Sequence, residues 1–186
     1  KQVFRAVVRL CRRSTAPRWA TGMNPLRLLR LIRRAGRIAE PAPPRPEADP
    51  SLSIPAALRG SVQVRHVDTG SCNGCEIEVG AAFGPVYDVE RYGARLVASP
   101  RHADVLAVTG VVTHNMVEPL ARTVEATPEP RLVVAIGDCA RNCGMFAGGY
   151  GVAGSVSDIT HVDLEVPGCP PRPEDIVAAL RQVTGR

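Results

Sequence analysis

The chain has 186 residues, enough for one domain with a core of its own and some chain besides. Hydrophobic residues make up 45%, which suits a globular protein, and aromatic residues only 4%, which argues against base stacking as the main business. The formal charge of +5 is unevenly spread: residues 1–45 hold twelve Lys and Arg against one acid, Glu40, a net +11, so the rest carries −6. The body is acidic, and a nucleic-acid reading of the whole chain is weak. No apolar run approaches the roughly 18 residues that span a bilayer. Residues 1–13 alternate apolar and basic positions without an apolar h-region, so no secretory signal is read. Disulfides are therefore not expected.

In chain order, residues 1–39 form a basic extension. Within it, "NPLRLLRLIRRAGRI" (24–38) has the pattern of a short amphipathic helix, with Asn24 able to cap it and Pro25 at its first position. Leu28, Leu31, Ile32 and Ala35 recur at helical spacing, while Arg27, Arg30, Arg34 and Arg37 fill the other side. Such a helix is expected to dock on an acidic partner or an anionic membrane surface. Residues 40–60 open with "EPAPPRPEADPSLSIP", whose prolines forbid a helix and favour an extended arm.

The body is placed at residues 61–186. "VQVRHVDTG" reads as a strand entering a glycine turn. "DVLAVTGVV" (104–112) and "RLVVAIGDC" (131–139) are near-continuous apolar runs ending in glycine, the mark of buried parallel strands. "NMVEPLARTVEA" (115–126) between them reads as a helix, "HVDLEVPGC" (161–169) as a further strand, and "RPEDIVAALRQV" (172–183) as a closing helix. Strand alternating with helix predicts an α/β fold with a parallel sheet. "GGYGVAG" (148–154) is read as a loop, lacking the pattern of a nucleotide site.

Cys72 and Cys75, in "SCNGCEIE", follow the first strand; Cys139 follows "VVAIGD" and Cys169 follows "LEVPG". All four thus fall just beyond the carboxyl ends of predicted strands, the edge where ligands of parallel sheets bind. Glycines Gly70, Gly74, Gly137 and Gly168 stand close to them, and Pro170 follows the last, as in many iron–sulfur loops. The pattern points to a metal centre, an iron–sulfur cluster ahead of zinc, because zinc sites more often use two close pairs. A dithiol reading needs Cys72 and Cys75 at a helix start and leaves Cys139 and Cys169 without a role.

From about His66 to Leu180 the body resembles the cluster-bearing small subunit shared by [NiFe] hydrogenases and the 20 kDa subunit of complex I. The likeness is carried by "GPVYDVERYGARLVASPRHADVLAVTG", "PEPRLVVAIGDCA" and "VPGCPPRPEDIVAAL". The complex I subunit has adjacent cysteines at the first site, whereas residue 74 here is glycine. "SCNGCEIE" is instead similar to the small subunit of membrane-bound group 4, formate hydrogenlyase-type hydrogenases. That resemblance implies a flavodoxin-like fold and a [4Fe-4S] cluster on Cys72, Cys75, Cys139 and Cys169. It also implies a nickel–iron large subunit, a ferredoxin-like iron–sulfur subunit and membrane subunits as partners, at the cytoplasmic face of the membrane. A quinone-reductase complex with the same cluster, or a zinc-bound or metal-free scaffold, stands as the alternative. The stretch from Pro25 to Gly60 is similar to the start of ferredoxin-like subunits of those complexes, which points to Met23 as a native start.

The resemblance gives Glu78 an acidic position beside the cysteines, with a proton-carrying or charge-tuning role. Glu76 is expected to be structural. Asp138 is a candidate for orienting a cluster loop, and Arg141 and Arg172 for offsetting cluster charge or gripping the large subunit. Cys143 stands where related proteins usually have glycine and is read as a free thiol beside the cluster; Cys11 is read as incidental. His66, His102, His114 and His161 lack metal-pair spacing and are read as structural.

Overall fold

A computed structural model describes residues 52–186 together with Leu26, Leu29, Arg30, Arg33, Arg34 and Pro44. The chain divides into two compact units, residues 1–43 and 44–186. In the first, Leu26, Leu29, Arg30, Arg33 and Arg34 are helical and exposed, inside the stretch read as an amphipathic helix. Arg27, Leu28, Leu31, Ile32, Ala35 and Arg37 of that reading, and Cys11 and Met23, lie outside the described residues.

The second unit is built on a five-stranded, all-parallel sheet. Its strands are β1 (Val62–Asp68), β2 (Ala94–Leu96), β3 (Val105–Thr109), β5 (Leu132–Ile136) and β7 (Leu164–Val166), in the order β2-β1-β3-β5-β7. The register of β3 sets Val105 beside Leu132 and Thr109 beside Ile136, while Asp68 of β1 lies beside Thr109. The helices are α1 (Gly74–Ala82), α2 (Val117–Ala126), α3 (Asp138–Asn142) and α4 (Pro173–Thr184). The expected α/β architecture with a parallel sheet and helices is thus present.

Alternation along the strands sorts the core into two layers, because successive side chains leave a strand on opposite faces. On one face Val62, Val64, Val105, Ala107, Leu132, Val134 and Ile136 pack against α1 and α4 through Val79, Ala82, Ile176, Leu180 and Val183. On the other, Leu106, Val108, Val133 and Ala135 pack with Leu120 of α2 and Ala140 of α3. Burial on both faces is why β3 and β5 read as unbroken apolar runs. Leu58 and Ile54, upstream of the first strand, also pack onto the first layer. Leu106 is fully buried on the central strand. Leu106→Ala is expected to cost about 2–5 kcal/mol of unfolding free energy, read as a shift in denaturant midpoint with an unchanged slope.

Two readings are corrected. The run "DVLAVTGVV" is not one strand: it turns at Gly110, and β4 (Val112–Thr113) leaves the main sheet. β4 pairs antiparallel with β6 (Val152–Gly154), so part of "GGYGVAG", read as a loop, is strand.

Candidate metal centre

The loop after β1 is built by its own side chains. Asp68 Oδ1 accepts from the backbone N–H groups of Gly70 and Ser71, each at 2.9 Å. Burial works against the Asp68 carboxylate, but those bonds outweigh it and hold its pKa below the ordinary value. Thr69, fully buried, donates its hydroxyl to the Thr109 carbonyl at 2.8 Å, which ties the loop to β3. The Ser71 hydroxyl accepts from the Asn73 N–H at 3.0 Å, and the chain enters α1 at once. Cys75 is the second residue of α1 and Cys139 the second residue of α3, so both buried thiols stand at a helix start.

The four sequence-predicted cysteines come together. Cys75 interacts electrostatically with Cys72, Cys139 and Cys169, and Cys139 with Cys72 and Cys169. Cys72 and Cys169 are exposed, so the group lies at the protein surface. The glycines between the loops make the approach close. A Cβ on Gly137 would stand 2.6 Å from the Cys75 sulfur, one on Gly144 would stand 3.3 Å from that of Cys139, and one on Gly74 would stand 3.6 Å from that of Cys72. Among the described residues, no three His, Cys, Asp or Glu side chains close on a point suited to a single metal ion.

Asp138 joins two of the cysteine loops. Its N–H donates to the Gly168 carbonyl at 2.8 Å, and its Oδ1 accepts from the Gly168 N–H at 3.0 Å. Cys139 and Cys169 are the residues that follow these two. Arg141 Nη1 donates to Asp138 Oδ1 at 3.3 Å and its Nε to Glu165 at 2.8 Å. The arginine is thus engaged within its own chain. Arg172 is exposed at the start of α4.

Burial pushes the Cys75 thiol up to about 12, with Glu76 and the other three thiols adding to the shift. Burial likewise raises Cys139, followed by its neighbours Cys169 and Cys72. The Cys72–Cys75 pair does sit at a helix start, as a redox dithiol would require. A dithiol, however, leaves Cys139 and Cys169, gathered on the same pair, without a role. Positive charge beside Cys75 and Cys139 would favour their thiolates, and a metal centre supplies it. Four soft donors and a cradle too tight for a Cβ at Gly137 fit an iron–sulfur group.

Glu78 is half-buried on α1. It lies near Tyr87, whose phenol is pushed up chiefly by Glu174, with Glu78 a lesser influence. Cys143 ends α3 with φ 64°, a left-handed conformation easiest for glycine. Its thiol is raised by burial and then by Asp158. Sequence reasoning passed over one group: Glu76 of α1, Thr109 of β3 and His66 of β1 form a hydrogen-bonded set on the face that α1 covers. A polar residue closing the apolar run "VLAVT" was the available signal.

Four thiols gathered beyond the carboxyl edge of a parallel α/β sheet are a donor set of the kind that thiol-ligated metal centres use. Residues 72–183 match the family described as the NADH ubiquinone oxidoreductase 20 kDa subunit, and the chain belongs to that family of oxidoreductase subunits. It is 50% identical over 114 residues to a probable membrane-bound hydrogenase subunit of Pyrococcus furiosus, covering 61% of this chain and 68% of that protein. It is 42% identical over 126 residues to formate hydrogenlyase subunit 7 of Escherichia coli, covering 68% of this chain but 49% of that protein. Among solved structures, a chain of the archaeal membrane-bound sulfane sulfur reductase superposes with a TM-score of 0.61 at 30% identity, over 69% of this chain and 71% of that one. Among the described residues no helix is long and apolar enough to cross a membrane.

Proposed function

We propose that the chain is the electron-transfer subunit of a membrane-associated, [NiFe] hydrogenase-like complex. It carries one [4Fe-4S] cluster on Cys72, Cys75, Cys139 and Cys169, at the cytoplasmic face of the membrane. The observation that carries this reading is the convergence of four thiols from three separate loops around Gly137, where a Cβ would collide with the Cys75 sulfur. When bound, the cluster supplies one-electron transfer, here between a large-subunit active site and further iron–sulfur subunits.

The chain's own residues hold and shield the site. Cys75 and Cys139 are buried, while Cys72 and Cys169 reach the surface, where a partner can approach. Ile77 follows Cys75 by two residues and is 62% exposed; Met145 and Phe146 follow Gly144 and are exposed as well. Large apolar side chains left in water beside the thiols support a protein partner covering this edge. A nickel–iron large subunit is the proposed partner, and the likeness to membrane-bound hydrogenase and formate hydrogenlyase subunits supports a hydrogenase-type complex. The match to a complex I subunit family keeps a quinone-reductase complex as the second reading, with the same cluster and residues.

The test is anaerobic purification of the complex, co-expressed with its partner subunits. Iron and sulfide are counted and EPR spectra of the dithionite-reduced protein are compared with a Cys139→Ala complex. The proposal expects the variant to lose about four irons, four sulfides and one EPR signal relative to the parent. Zinc, or no metal difference between the two, would leave only an assembly scaffold.

A further inference from the structure

We infer that Glu76 is a positioning residue for the thiol site, a fixed negative charge held between α1, β1 and β3 that lowers the reduction potential of the cluster. This rests on the proposed cluster and assigns to Glu76 a role that the sequence reading reserved for Glu78.

Four observations carry it. Glu76 immediately follows Cys75 and interacts electrostatically with it. Its side chain is 16% exposed, and its Oε2 is buried without a hydrogen-bond partner. Its Oε1 accepts from the hydroxyl of Thr109, a residue with no exposed surface. His66 Nε2 lies 2.9 Å from that hydroxyl oxygen and 3.7 Å from Glu76 Oε1. Because Thr109 spends its proton on the carboxylate, His66 must donate Nε2–H to Thr109. The carboxylate is thereby fixed from the sheet side through a chain of two hydrogen bonds.

The facing histidine does not cancel the charge. Burial lowers the His66 pKa, with Glu76 and Asp68 opposing, which favours the uncharged ring. A carboxylate in a low-dielectric setting acts strongly on its neighbour. Adding an electron beside a negative charge is disfavoured, so Glu76 pushes the potential down. An unpartnered buried carboxylate oxygen also costs stability, so hydrogen bonding alone does not account for an acid here. Glutamine would serve Thr109 equally well as an acceptor.

The experiment is a redox-poised EPR titration of the complex carrying Glu76→Gln or Glu76→Asp, following the signal that Cys139→Ala removes. Iron and sulfide are counted in each sample. Glu76→Gln is expected to keep its iron and shift the midpoint upward, and Glu76→Asp, which keeps the charge, to stay nearer the parent value. An unchanged midpoint in iron-replete Glu76→Gln would overturn the inference while leaving the cluster intact. Loss of iron from Glu76→Gln alone would also overturn it, making the residue structural. A parent complex without iron in this subunit would sink the proposed function first, and the inference with it.

Discussion

Gly137→Ala is expected to strip the iron of the proposed cluster from the complex as thoroughly as Cys139→Ala does. Gly137 leaves β5 with φ 91° and ψ 160°, a backbone region open essentially to glycine alone. Forcing alanine there costs about 1–3 kcal/mol in backbone strain. The added methyl would also stand 2.6 Å from the Cys75 sulfur, closer than any relaxed contact, so the sulfur or the loop must move. Overpacking of this kind costs roughly another 1–3 kcal/mol. Strain and collision are separable by a control. Gly148 also has a positive φ, 76°, but a Cβ there meets nothing within 4 Å. Gly148→Ala therefore bears the strain without the collision, and its complex should keep full iron. Equal iron in Gly137→Ala and the parent would mean the loops do not cradle the site closely.

What could be read beforehand followed from burial. β3 and β5 were visible because both faces of a central parallel strand are covered, and α2 and α4 because a proline and an acid mark each start. β2 was missed: "ARL" is three residues long, with only Ala94 buried, too short for a period to register. α1 was missed because "GCEIEVGAA" is rich in small residues. Its buried positions, Cys75, Val79 and Ala82, do step at helical intervals, but without large side chains to announce them. α3 is barely more than a turn.

The site divides in the same way. Convergence of the four cysteines was legible, since topology alone sends the carboxyl ends of parallel strands to one edge. The residues that fix the loops were not. Whether Glu76 or Glu78 turns inward depends on the phase of α1, and "EIE" offers both without deciding. The engagement of Arg141 with Glu165 spans the gap between α3 and β7, a pairing no local pattern encodes.

Asp138→Ala is expected to loosen the site by a different route, with the fold left in place. Asp138 Oδ1 is the acceptor for the Gly168 N–H, and alanine leaves that donor unpaired directly before Cys169. A hydrogen bond to a charged group contributes about 1.5–3 kcal/mol, little against the whole fold but large for one loop. The return bond, from the Asp138 N–H to the Gly168 carbonyl, is backbone and survives. The loop should therefore stay near its position yet sample wider ones, and iron should leave faster under chelator challenge than from the parent complex. Arg141→Ala separates the clamp from its support. It removes two exposed-side contacts, at 3.3 Å to Asp138 and 2.8 Å to Glu165, but keeps the Gly168 bond. Ion pairs of that exposure are worth about 0–1 kcal/mol, so its iron loss should fall between parent and Asp138→Ala. Asp138→Asn keeps an oxygen acceptor for Gly168 and should recover most of the retention. If all three variants release iron at the parent rate, the Asp138–Gly168 pair does not secure the fourth thiol, and Cys169 must be held by its neighbouring prolines and the partner surface instead.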